Sequence, residues 1–126
     1  MSINKVVLTG NLTKDPDVKY TQSGKAVAMF SIAVNDGFGD NQKTYYPNIV
    51  VWGKTAETVG NNLAKGSKVG VVGKLTTRSY DNSAGQKVYV TEVVADMYGG
   101  IEFLGSKKQS AQQNQSNPME DEEVPF

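Results

Sequence analysis

Between residues 3 and 105 the chain is a succession of short β-branched and aromatic runs, each stopped by Gly, Asn, Asp or Ser, and one segment departs from that rhythm. The runs are residues 3–12, 27–34, 45–52, 69–80 and 87–95, with a short one more at 101–104. Their Val, Ile, Tyr and Thr content and their period-two alternation predict strands. The stops Gln22-Ser23-Gly24, Asp36-Gly37, Gly39-Asp40-Asn41 and 81–85 carry the residues that tight turns select. The odd segment, residues 55–66, puts Ala56, Val59 and Leu63 at i, i+3 and i+7 and predicts a helix of about three turns. Thr55 is its expected N-cap, Glu57 suits the positive end of the dipole, and Gly66 suits the left-handed position after the last turn. Gly60 weakens the helix, and Gly70 and Gly73 predict bulges or tight curvature in the fourth run. Three strands, a helix and two strands within about 100 residues are the order of an all-β, five-stranded Greek-key barrel with one short helix between strands 3 and 4.

The 126 residues suffice for one such domain. The chain has no cysteine and no histidine, which removes disulfides, thiolate and imidazole metal sites, His-based triads and proton shuttles at neutral pH. No cofactor or metal is expected, and Asp15 with Asp17 reads as turn residues beside Pro16 rather than as a carboxylate pair for catalysis. No apolar run is long enough for a membrane span or a signal peptide, so a cytoplasmic location and no membrane partner are expected. Net charge is zero, but residues 1–108 hold all thirteen bases against nine acids, a balance of +4, and residues 109–126 hold four acids and no base. Residues 1–105 are the expected folded domain. Residues 106–118 are so rich in Ser, Gln and Asn that a disordered polar linker is expected. Residues 119–126 form an acidic tip, Glu120-Asp121-Glu122-Glu123, followed by Val124-Pro125-Phe126.

Alternation in the third run sets Ile49 and Val51 on one face and Tyr46, Asn48, Val50 and Trp52 on the other. In the fourth run Lys74, Thr76, Arg78 and Tyr80 share a face, opposed by Val71, Gly73, Leu75 and Thr77. The aliphatic sets suit the core, and the others then point outward. Rings interleaved with cations are what unpaired nucleic acid needs, flat surfaces for bases and positive charge for phosphates. The same rings would also serve under a loop or in a subunit contact, so an RNA-binding barrel and a protein-interaction barrel stay open at this level. In the tip, a phenyl ring and carboxylate after four acids suit an apolar pocket rimmed by Arg or Lys on a partner.

Several stretches, in this order and spacing, carry a resemblance to a known family: Ile3-Asn4-Lys5-Val6-Val7-Leu8-Thr9-Gly10-Asn11-Leu12-Thr13-Lys14-Asp15-Pro16, Gly66-Ser67, Leu75-Thr76-Thr77-Arg78-Ser79-Tyr80, Gly85-Gln86, Thr91-Glu92-Val93-Val94 and the acidic tip. Together they resemble the bacterial single-stranded DNA-binding proteins over essentially the whole chain. The resemblance implies an OB-fold, no enzymatic activity, and sequence-tolerant coating of single-stranded DNA in replication, recombination and repair. It implies base stacking on Phe38, Tyr46, Trp52 and Tyr80, recruitment of replication and repair proteins through residues 120–126, and a homotetramer at the nucleoid. Tyr46 and Tyr80 stand where many members carry tryptophan, and Pro47 stands where some carry a histidine in a subunit contact.

Overall fold

The computed structural model describes residues 2–105, and the expected linker and acidic tip lie outside the described residues. Eight strands and one α-helix follow one another as β1 (Val6–Leu12), β2 (Asp17–Tyr20), β3 (Ala26–Asp36), β4 (Lys43–Tyr45), β5 (Asn48–Trp52), α1 (Lys54–Asn62), β6 (Lys68–Asp81), β7 (Lys87–Ala95) and β8 (Ile101–Phe103). Five of them close a ring in the order β1-β3-β5-β7-β6, and β6 pairs back onto β1. Every contact in the ring is antiparallel except β5–β7, which is parallel. This is the expected five-stranded Greek-key barrel, with the helix between the third and fourth ring strands.

Period-two alternation fills the barrel. Ala28, Phe30 and Ile32 of β3 face Ile49 and Val51 of β5, Val69 and Val71 of β6, and Val93 of β7. Ala56, Val59 and Leu63 of the helical segment are buried in the same cluster, as their spacing predicts.

Four local expectations are corrected. Strand β2 is absent from the sequence reading, because four residues directly after a proline give too short an alternation to detect; it is held by pairing with Ala26–Met29 of β3. The third run is two strands, not one. Pro47 has no N–H to donate, so the ladder breaks there, β4 pairing with Val34–Asp36 and β5 with Val27–Ser31. The helix begins one residue earlier than expected and ends at Asn62. Gly53, with φ of 77°, is its N-cap in place of Thr55, and Gly66 is left-handed but lies in the turn beyond the end. Gly60, costly for the helix, is explained by β2: a Cβ there would stand 2.7 Å from Val18 Cγ2. Finally, Leu75 is on the inward face by register yet 50% exposed. The β1 ladder on β6 stops at Val6–Gly73, so Leu75 lies beyond the closed part of the barrel.

Gly73 is the corner, as its place in the sequence suggested. One edge of β6 loses β1 there, and the other gains β7 through the Gly73–Ala95 pair. A Cβ at Gly73 would collide with the Val94 carbonyl. Past this corner β6 and β7 run on as a long hairpin. Asn4 covers part of the exposed edge by accepting from Leu75 N–H (2.9 Å) and donating to Leu75 C=O (3.0 Å), as a neighbouring strand would.

Candidate nucleic-acid interface

The outer surface of β3, β5, β7 and β6 is one continuous sheet face. Register places Val27 beside Trp52, Met29 beside Val50 and Ser31 beside Asn48. Val50 continues to Val94 and then to Lys74, while Thr76 pairs with Glu92, Arg78 with Val90 and Tyr80 with Val88. Asn48, Trp52, Lys74, Arg78 and Tyr80 therefore lie on the same side of the sheet, because paired residues point the same way.

These residues sit in distinct surroundings along that face. Trp52 and Lys74 share an open cleft with Lys25 and Met97. Asn48 and Arg78 share a groove with Lys14, Met29 and Glu92. Tyr80 is exposed farther out on the β6–β7 hairpin. Phe38 is exposed on the loop after β3, where no periodicity could place it. Tyr46 is separated from this face by the break at Pro47, and its ring lines an apolar groove with Tyr45, Pro47 and Leu75.

Two partners in this geometry escaped the sequence reading. The first is Lys25, whose ammonium lies 5.3 Å from the centre of the Trp52 ring. Such a contact at an exposed site is worth about 0.5–1 kcal/mol. It arises because Gly53 N–H donates to Ala26 C=O (2.8 Å), which sets the start of β3 against the end of β5. The second is Glu92, only 7% exposed, which accepts from Arg78 Nε and Nη2, both at 3.1 Å. The Arg78 pKa is raised, first by that hydrogen bond and then by the carboxylate's charge, so the guanidinium stays cationic. The spacing of Thr76, Arg78 and Tyr80 reveals their shared face, but only register shows that Arg78 lies across from a buried acid.

The acids of the face are thus engaged. Glu92 is paired with Arg78, Asp96 with Lys5 at 2.8 Å, and Asp17 with Lys19 at 3.7 Å. Among the described residues Lys25 and Lys74 are in no ion pair, and both border Trp52.

A closed five-stranded Greek-key barrel with one helix between its third and fourth ring strands is an OB-fold. Residues 3–104 match the single-strand binding protein family, and the chain belongs to that family. It is 50% identical over 85% of its length to the single-stranded DNA-binding protein of Enterococcus faecalis, of which the match covers 58%. A second such protein, from Halalkalibacterium halodurans, is 49% identical over 85% of this chain and 66% of its own length. The chain thus spans about three-fifths to two-thirds of these two relatives. Single-stranded DNA-binding protein 3 of Streptococcus agalactiae is 39% identical, covered over 98% of this chain and 99% of its own. Among solved structures, the Plasmodium falciparum SSB in complex with ssDNA superposes with a TM-score of 0.75 at 32% identity, covering 82% of this chain and 97% of the other.

Proposed function

We propose that this protein is a non-enzymatic binder of single-stranded DNA with little sequence preference. The observation that carries the reading is the half-buried Trp52 ring on an outer sheet face, bordered by two lysines in no ion pair. The ring stacks a base, and Lys25 and Lys74 sit where the flanking phosphates pass. The track continues along Asn48 and Arg78 to Tyr80, with Tyr46 and Phe38 before the start of β5. Arg78 keeps donors for phosphate after its two bonds to Glu92, since a guanidinium carries five N–H groups. Only unpaired strands present ring faces to these side chains, so duplex is excluded by geometry. The named functions of the relatives point the same way. Titration of the full chain with fluorescent oligo-dT and with duplex of the same length tests the reading: oligo-dT binds and weakens steeply with salt, and duplex does not compete.

Assembly into a homotetramer belongs to the same proposal. Leu75, Tyr45 and Tyr46, all at least half exposed, form with Val6 and Leu8 an apolar surface around the groove of about 550 Å³ beside the β1–β6 edge. Buried between copies, this surface joins barrels so that one strand crosses several weak sites. Tyr46 lines that groove, so a subunit-contact role competes with stacking for this one residue, and Tyr46→Ala decides by moving either the mass or the affinity.

The acidic tip is proposed to recruit replication and repair proteins at the nucleoid through Glu120, Asp121, Glu122, Glu123, Val124, Pro125 and Phe126. Four carboxylates repel phosphate, so the tip is free to meet a basic, apolar pocket on a partner. Deleting Phe126 leaves oligo-dT affinity unchanged and abolishes capture of such proteins by the immobilised full chain. Equal capture by both baits would leave the tip a solubilising element.

A further inference from the structure

The turn joining β7 to β8, Asp96-Met97-Tyr98-Gly99-Gly100, holds one ring with no assigned role, Tyr98, and it is firmly held. Asp96 N–H donates to Val72 C=O (2.9 Å), and Val72 N–H donates to Gly100 C=O (2.8 Å), so one residue of β6 clamps both ends. Lys5 pairs with the Asp96 carboxylate at 2.8 Å, Gly99 is left-handed at φ 74°, and a Cβ at Gly100 would run into the Asp96 backbone. A turn tied down in this way displays Met97 at 57% and Tyr98 at 88% exposure. A backbone already held in this way adds little ordering entropy when a ligand arrives.

Position supplies the second observation. Trp52 and Met97 form a ridge between two clefts. On one side lie Lys25 and Lys74. On the other a cleft of about 490 Å³ is lined by Lys54, Thr58, Tyr98 and Phe103. The first side therefore offers the Trp52 ring and two ammonium groups, and the second offers the Tyr98 and Phe103 rings and one, the combination that a stacked nucleotide requires.

We propose that the second cleft takes the nucleotide next to the one stacked on Trp52, with Tyr98 as its stacking platform, Met97 as the spacer between the two bases, and Lys54 facing the phosphate. The strand then turns around the Trp52 ridge toward α1 instead of leaving the protein there. This rests on the single-stranded DNA reading, and the test separates the two. Full-length Tyr98→Ala, Tyr98→Phe and Trp52→Ala are titrated with oligo-dT of about 15 nucleotides, and each is weighed by light scattering. Tyr98→Ala binds roughly 5- to 100-fold more weakly at unchanged mass, the range expected for one lost stack, and Tyr98→Phe binds like the parent because the ring is kept. If Tyr98→Ala binds like the parent while Trp52→Ala does not, the second platform is wrong and the DNA reading stands. If both bind like the parent, the DNA reading falls as well. A change of mass in Tyr98→Ala would make the ring a contact between copies and overturn the proposal.

Discussion

Two of the barrel's surfaces that carry exposed aromatic rings differ in what stands beside the rings. On the outer face of β3-β5-β7-β6, Trp52 is bordered by Lys25 and Lys74, and the acids nearby are already engaged with Arg78, Lys5 and Lys19. Around the β1–β6 edge, Tyr45 and Tyr46 are bordered by Val6, Leu8, Pro47 and Leu75, and the charge in that groove is Asp36. Rings with unpaired cations suit a polyanion with flat bases. Rings with aliphatics suit another protein surface, where unpaired charge would be costly. Residue type alone does not separate the two, since both faces hold tyrosine or tryptophan; the neighbours do.

The comparison breaks most readily at Trp52. Trp52→Ala weakens oligo-dT binding by about ten- to a hundred-fold, the value of one lost stack, and leaves the mass unchanged. Binding like the parent would erase the distinction between the faces. On the other surface, Leu75→Glu places a charge in the apolar groove, and light scattering should show the assembly falling toward single chains. Affinity for an oligonucleotide of about 4 nucleotides, short enough for one barrel, should stay near that of the parent. Smaller in effect, Lys74→Ala reduces the slope of log K against log salt by about 0.7, one phosphate contact on a single strand. Smallest in binding is Arg78→Ala. It strands the buried Glu92 carboxylate, so thermal denaturation shows a lower melting temperature while the salt slope moves less than in Lys74→Ala. The raised Arg78 pKa keeps the guanidinium cationic as pH increases, so this pair's own contribution to stability should be flat on the alkaline side until the guanidinium deprotonates.

Much of this was legible in the chain because alternation is a local property. Ala28, Phe30, Ile32, Ile49 and Val51 declare the core face by spacing alone, and the outward set Asn48, Trp52, Lys74, Arg78 and Tyr80 follows as its complement. What was not legible depends on register. Lys25 reaches Trp52 only because β3 starts opposite the end of β5, and Glu92 meets Arg78 only across the β6–β7 ladder. Strand β2 and the glycine that receives it, Gly60, explain each other, but neither is interpretable alone. Counting through Pro47 puts Tyr46 on the face of Trp52, but the strand is interrupted at that proline, which ends the alternation.

Trp52 is the chain's only tryptophan, so its emission reports the outer face without interference from another indole. Titrating the full-length protein with oligo-dT, and separately with duplex of equal length, tests the central claim most directly. A base stacked on the ring should quench the emission in a saturable way with oligo-dT, reversibly on raising the salt, while duplex leaves it unchanged. Saturable oligo-dT binding with no change in Trp52 emission, or equal quenching by duplex, would contradict the assignment of this face to unpaired DNA.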